Sequence, residues 1–165
     1  MRGSVFALLL CALAACGRDP APAPEADRSY RDTSVIISSS SRFDAARFAG
    51  TWQRQATFGA AYADPPCREV RFVDVPGGME VETCRGAAPK LYSQSSYGRL
   101  QAPGAEPLWV LWVDDDFRTA VVGTPSGRLG WILDRGSLPP DRARAAREVL
   151  AFNGYDLSQL RPVAP

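Results

Sequence analysis

Between Thr51 and Leu133 the chain is a succession of short apolar or alternating runs, each closed by Gly, Pro, Asp or Ser, with no segment of helical period among them. The runs are Thr51–Phe58, Arg68–Val75, Met79–Cys84, Leu108–Val113, Phe117–Gly123 and Leu129–Leu133, together with a polar stretch, Lys90–Ala102, that reads as one long strand or two short ones. A helical stripe appears once, afterwards: Ala143, Ala146, Val149 and Leu150 share a face, with Arg142, Arg144 and Arg147 turned away. Pro140 suits the first turn of that helix, whose start lies at Ser137 or Pro139, and Asn153-Gly154 ends it. Such an order predicts an all-β antiparallel barrel or sandwich with one C-terminal α-helix packed outside it.

The second and third runs form the clearest hairpin. If Cys67 faces Cys84, then Val70 faces Val81, Phe72 faces Met79 and Arg71 faces Glu80, leaving Asp74-Val75-Pro76-Gly77 as the loop. Apolar pairs then share one face and charged ones the other, as half-buried strands require. Glu69 opposite Glu82 is the unfavourable pair in that register.

Residues 1–15 read as a targeting segment. Arg2 precedes an apolar run, Val5–Leu13, too short to span a bilayer as a helix, and Leu13-Ala14-Ala15-Cys16 closes it. The ending resembles the lipobox of bacterial lipoproteins, which implies that Cys16 is diacylated and becomes the first residue of the mature chain. Gly17 after it, rather than aspartate, resembles the default outer-membrane sorting signal. From Cys16 to about residue 41 the sequence reads as a flexible tether, with Pro20, Pro22 and Pro24 and the run Ser38-Ser39-Ser40-Ser41. Val35-Ile36-Ile37 is its apolar island, suited to docking on the domain that occupies residues 42–165. With Cys11 removed and Cys16 lipidated, Cys67 and Cys84 remain as an even pair in an oxidising compartment, and a disulfide is expected.

Composition excludes several functions. The formal net charge is +1, from 19 basic and 18 acidic residues, which gives no field for nucleic acid. Histidine is absent, so the commonest general base and transition-metal ligand are missing. Asp114-Asp115-Asp116 would suit at most a weak metal site, and as a turn it reads first as a solvated charge run.

Three segments resemble the lipocalin family in that family's order. Phe43-Asp44 followed by Gly50-Thr51-Trp52 is similar to the G-x-W motif that opens the first strand. The stretch from Val113 to Val122 is similar to the turn between the sixth and seventh strands, with Phe117 where many members have tyrosine. Trp131-Ile132-Leu133-Asp134-Arg135 is similar to the last strand, ending in the arginine that crosses the first-strand tryptophan. The tail Asn153–Ser158 and the lipoprotein signal resemble bacterial outer-membrane lipoprotein lipocalins. The resemblance implies an up-and-down barrel of about eight strands. The stretch before Leu108 is short for the family, so a middle strand is abbreviated or missing. It implies a structural trio, Gly50, Trp52 and Arg135, at the closed end.

The resemblance also implies a membrane-anchored binding protein of the cell envelope, its domain facing the periplasm. Its ligand would be a small hydrophobic or amphiphilic molecule, of the fatty acid or lysophospholipid class, and no cofactor is called for. Strand alternation offers Phe58, Val70, Phe72, Met79, Val81, Trp109 and Leu111 as the lining, each of which is equally a plain core position. Two alternatives stand beside this one. One is an interaction lipoprotein with a filled barrel. The other is a lipocalin-type enzyme, for which the bridged cysteines and missing histidine leave no activated nucleophile and hence no catalytic residue to name.

Overall fold

A computed structural model describes residues 28–59 and 67–163. The expected signal segment, Cys16 and the tether up to residue 27 lie outside the described residues. The elements run α1 (Ala45–Phe48), β1 (Gly50–Phe58), β2 (Glu69–Val75), β3 (Gly78–Glu82), β4 (Lys90–Ser96), β5 (Arg99–Gln101), β6 (Leu108–Val113), β7 (Thr119–Gly123), β8 (Gly130–Asp134), α2 (Pro140–Phe152), a 3-10 turn (Leu157–Gln159) and β9 (Arg161–Pro162). Consecutive antiparallel pairings run from β2 to β8, and β1 joins β8 to β2, so eight strands close a barrel. The polar stretch is therefore two strands, of which β5 has only three residues. β9 was not expected. It pairs with Ala56 and Thr57 beyond the point where β2 leaves β1, covering an edge that would otherwise be open.

The β2–β3 register differs by two residues from the one expected. Arg71 faces Glu82, Phe72 faces Val81 and Val75 faces Gly78, so the loop is Pro76-Gly77 alone. Proline presets the first loop position, and Gly77 takes φ +85° at the second. A two-residue slip keeps Val70, Phe72, Met79 and Val81 on the inner face and replaces the Glu69–Glu82 opposition with Arg71–Glu82. Gly78 cannot be another residue here, since a Cβ would lie 1.9 Å from the carbonyl oxygen of Tyr92 on β4. Cys67 and Cys84 are bridged across the hairpin just beyond the ladder, with Cα atoms 5.0 Å apart.

Bulges decide which side chains enter the barrel. The β1 register shifts between Arg54 and Ala56, and the β6 register shifts between Val110 and Trp112. Two apolar clusters result. The interior one unites Phe48, Trp52, Val70, Phe72, Met79, Val81, Tyr92, Leu108, Val122 and Trp131. The exterior one lies between the barrel wall and α2 and unites Phe58, Leu111, Val121, Ile132, Ala146, Leu150 and Tyr155, with Trp109, Trp112 and Ile37 against it.

The helix matches the expected stripe, with one correction. Arg142 is not turned to solvent; it reaches Asp114 at 3.4 Å and Asp134 at 3.5 Å, tying the start of α2 to the β6–β7 turn. Residues 28–41 lie along the barrel rather than away from it. Tyr30 N–H donates to Gly127 C=O, Asp32 N–H to Gly154 C=O, and Ser40 N–H to Val110 C=O, where the short β5 leaves β6 without a neighbour. The Arg31 side chain is buried, donating to the carbonyls of Asn153 at 2.9 Å and Pro125 at 2.8 Å and also to that of Val35. Among the described residues no helix is long and apolar enough to cross a membrane.

Candidate ligand site

The two ends of the barrel differ. At one end the chain folds over itself. Asp44 caps α1 by accepting from Arg47 N–H at 2.9 Å, and α1 delivers Phe48 to the base of the barrel. Phe48 stands 4.9 Å from the rings of both Trp52 and Phe72. Trp52 is wholly buried and donates its indole N–H to the Phe48 carbonyl at 2.9 Å. The Arg135 guanidinium lies 4.2 Å over the Trp52 ring. It also donates to the carbonyls of Phe117 (2.8 Å), Arg47 (2.9 Å), Phe48 (3.1 Å) and Ala49 (2.9 Å). Gly50 is required beside it, because φ is +116° and a Cβ would stand 2.7 Å from an Arg135 nitrogen. Burial lowers the Arg135 pKa from its ordinary value, which is high enough that the charge stays at neutral pH.

Two members of the acidic triplet, Asp114 and Asp115, complete this end structurally. Asp114 accepts from the N–H groups of Arg118 at 2.6 Å and Thr119 at 2.8 Å, and Asp115 pairs with Arg42 at 2.5 Å. Phe117 takes φ +57° within this turn, held under the Arg47 guanidinium at 4.0 Å. Among the described residues no group of three or more His, Cys, Asp or Glu side chains forms a metal cage.

Among the described residues, the other end is open. A cavity of about 270 Å³ lies there, lined by Val81, Thr83, Ala88, Lys90, Tyr92, Ala105, Glu106, Leu108, Leu129 and Trp131. Its floor and walls belong to the interior cluster, and its mouth lies among the loops β3–β4, β5–β6 and β7–β8. Lys90 is the charged group at the β4 side; opposite, Glu106 accepts from Ser126 at 2.7 Å and Arg128 at 3.3 Å. Beside the cavity the inward Arg54 side chain is wholly buried, its guanidinium 4.5 Å over the Trp131 ring and donating to the carbonyls of Cys67 and Thr83. Tyr155 closes the wall behind Leu129. Its hydroxyl donates to Leu129 C=O at 2.7 Å and accepts from Thr124 N–H at 2.9 Å, and burial raises its pKa.

Of the seven residues offered as lining, only Val81 borders the cavity. Val70, Phe72 and Met79 face inward but belong to the interior cluster without lining the cavity. Phe58, Trp109 and Leu111 are corrected to the exterior cluster under α2: a bulge after Arg54 reverses the alternation on β1, and on β6, apolar on both faces, Leu108 and Val110 are the residues that point inward. The residues that reasoning missed, Tyr92, Leu108, Leu129 and Trp131, sit at the mouth ends of their strands or beside turns. Leu108 and Leu129 carry the signal that could have found them, since each begins an apolar run just after a mouth loop.

Residues 93–165 match the family model of the lipocalin-like domain. Solved structures of the same fold include the cockroach major allergen Per a 4, 19% identical with a TM-score of 0.55 over 80% of this chain and 95% of that one. Lobster apocrustacyanin A1 is 11% identical with a TM-score of 0.54, over 72% of this chain and 78% of that one. The bovine lipocalin allergen Bos d 2 is 11% identical with a TM-score of 0.53, over 73% and 94%. At such identities these likenesses show the fold. No relative is found among the curated proteins.

Proposed function

Because this chain has the lipocalin fold and matches the lipocalin-like domain model over residues 93–165, we propose that its barrel takes up one small amphiphile, apolar part inward and polar head at the mouth. The single observation that carries this reading is the cavity of about 270 Å³, apolar below at Val81, Leu108, Leu129 and Trp131 and charged at its rim through Lys90 and Glu106. Ligand pockets usually run from about 300 Å³ upward, so the site suits a small or partly inserted molecule. Its class is a fatty acid or a lysophospholipid, whose head the Lys90 ammonium meets. The reading also places the protein on a bacterial outer membrane through a diacylated Cys16, facing the periplasm, as the lipobox-like sequence supports.

The test is a titration of delipidated protein with fatty acids and lysophospholipids, followed by native mass spectrometry. Wild type should bind one molecule at micromolar affinity, about −8 kcal/mol. Ala105→Trp, filling the cavity from its half-buried rim, should abolish binding, and Glu80→Arg on the outer face of β3 should not. Equal binding by all three would place the ligand elsewhere, and no binding by wild type would favour the filled-barrel alternative.

A further inference from the structure

The described chain begins at the same end of the barrel as the cavity mouth. Tyr30 N–H donates to Gly127 C=O in the β7–β8 loop, the loop that leads to Leu129 in the cavity wall. The link from Cys16 to Arg28 reaches at most about 40 Å when fully extended, and it contains Pro20, Pro22 and Pro24. A lipid on Cys16 would therefore tether the domain from its mouth end.

The exposed apolar residues of that end agree. Ile36 is 87% exposed and Phe152 is 74% exposed. Both flank Asn153, whose side chain accepts from Ser38 N–H at 2.8 Å and whose carbonyl accepts from Arg31 at 2.9 Å. Leu91, 57% exposed, adjoins Lys90 on the far wall of the mouth. Ile36 and Phe152 lie together beside the start of the described chain, Leu91 stands apart on the far wall, and Tyr97, 66% exposed, lies in the β4–β5 turn at the opposite end. Arg85 and Lys90 are exposed at this end beside the Arg128–Glu106 pair, whereas at the opposite turn Asp114 and Asp115 are matched by Arg142 and Arg42.

We propose that the cavity mouth docks on a bilayer carrying anionic headgroups, with Ile36, Phe152 and Leu91 entering the interface and Arg85 and Lys90 meeting phosphates. This rests on the lipidated Cys16 and adds an orientation to it: an amphiphile passes between membrane and barrel without crossing water. Interfacial insertion of an apolar rim backed by basic side chains has both a hydrophobic and an electrostatic component.

Hydrogen exchange on the full lipidated protein tests it, comparing detergent solution with vesicles of phosphatidylethanolamine and phosphatidylglycerol. Amides of residues 34–37 and 151–154 should exchange at least several-fold more slowly on vesicles, and those of the 114–118 turn should not change. Ile36→Ser/Phe152→Ser should stay membrane-bound through its lipid yet lose that protection. Protection at the 114–118 turn, or none at either end on a protein that does sediment with vesicles, overturns the orientation while leaving the lipid anchor standing. A wild type that incorporates no labelled acyl chain and stays soluble removes the anchor and the orientation with it.

Discussion

Trp52→Ala and Arg135→Ala, made singly and together, probe the closed end quantitatively. Trp52 is wholly buried against Phe48, and Phe48 in turn abuts Phe72. Those rings are fixed by α1 and β2 and cannot collapse into the space left, so Trp52→Ala should cost about 3–5 kcal/mol. Arg135→Ala removes a cation from the indole face, a contact of about 1 kcal/mol at a partly buried site. It also frees the carbonyls of Phe117, Arg47, Phe48 and Ala49, of which Arg47 and Ala49 lie where water replaces the bond. The total for Arg135→Ala is then about 2 kcal/mol. The two losses share the cation–ring contact, so the double variant should be less destabilised than the sum by about 1 kcal/mol. Arg135→Lys should recover little, because a single ammonium cannot serve carbonyls that the guanidinium fork reaches together. Urea unfolding followed by far-ultraviolet circular dichroism, with the disulfide intact throughout, gives all four stabilities. A coupling of zero, or a Trp52→Ala loss below about 1 kcal/mol, would refute the idea that this pair seals the barrel.

Three further outcomes are expected. Replacing Cys67 and Cys84 by alanine together should lower stability by about 3 kcal/mol, read from urea midpoints, because the bridge closes a loop of sequence separation 17. Burial raises the Tyr155 pKa, so the neutral phenol stabilises the fold fully below its unfolded value of about 10 and that contribution is lost as pH rises through the higher folded value. Tyr155→Phe should abolish this alkaline loss while costing about 1–3 kcal/mol at neutral pH, since Thr124 N–H and Leu129 C=O lose their buried partner. Cys16→Ser should move the protein from the membrane to the soluble fraction; a variant that remains with membranes, beside a wild type that takes up no labelled palmitate, contradicts the lipobox reading.

Much of the fold was legible because strand alternation and turn residues are local signals. The order of strands, the single outer helix ending at Asn153-Gly154 and the cysteine pairing follow from residues a reader can see, and the Gly50–Trp52–Arg135 constellation followed from the resemblance to lipocalins. The ligand lining was not legible to the same degree. Alternation carries a strand's facing only as far as the next bulge, and Gln55 and Leu111 each insert one residue without any glycine to mark the place. Phe58 was therefore assigned to the wrong side of the wall, and Trp109 and Leu111 were too, because β6 is apolar on both faces and its facing cannot be read from alternation. The hairpin slip was hidden for the opposite reason, since a shift of two residues preserves facing and only the Pro76-Gly77 turn chemistry separates the registers. Arg31 and the serine run read as tether by composition. Their hydrogen bonds to Asn153 at the end of α2, to Arg99, and to Val110 beside the short β5 join residues far apart in the chain, which no local pattern discloses.

The central claim is that a ligand enters at the mouth and rests against Trp131. Indole N–H signals in a proton–nitrogen correlation spectrum report this directly, because the four tryptophans of the chain occupy distinct places: Trp52 at the sealed end, Trp131 at the cavity, Trp109 and Trp112 on the outer wall. Adding a lysophospholipid or fatty acid below its micelle concentration should shift the Trp131 signal saturably and leave Trp52 in place. A shift confined to Trp109 and Trp112, or none at all while the spectrum remains that of a folded protein, would contradict it.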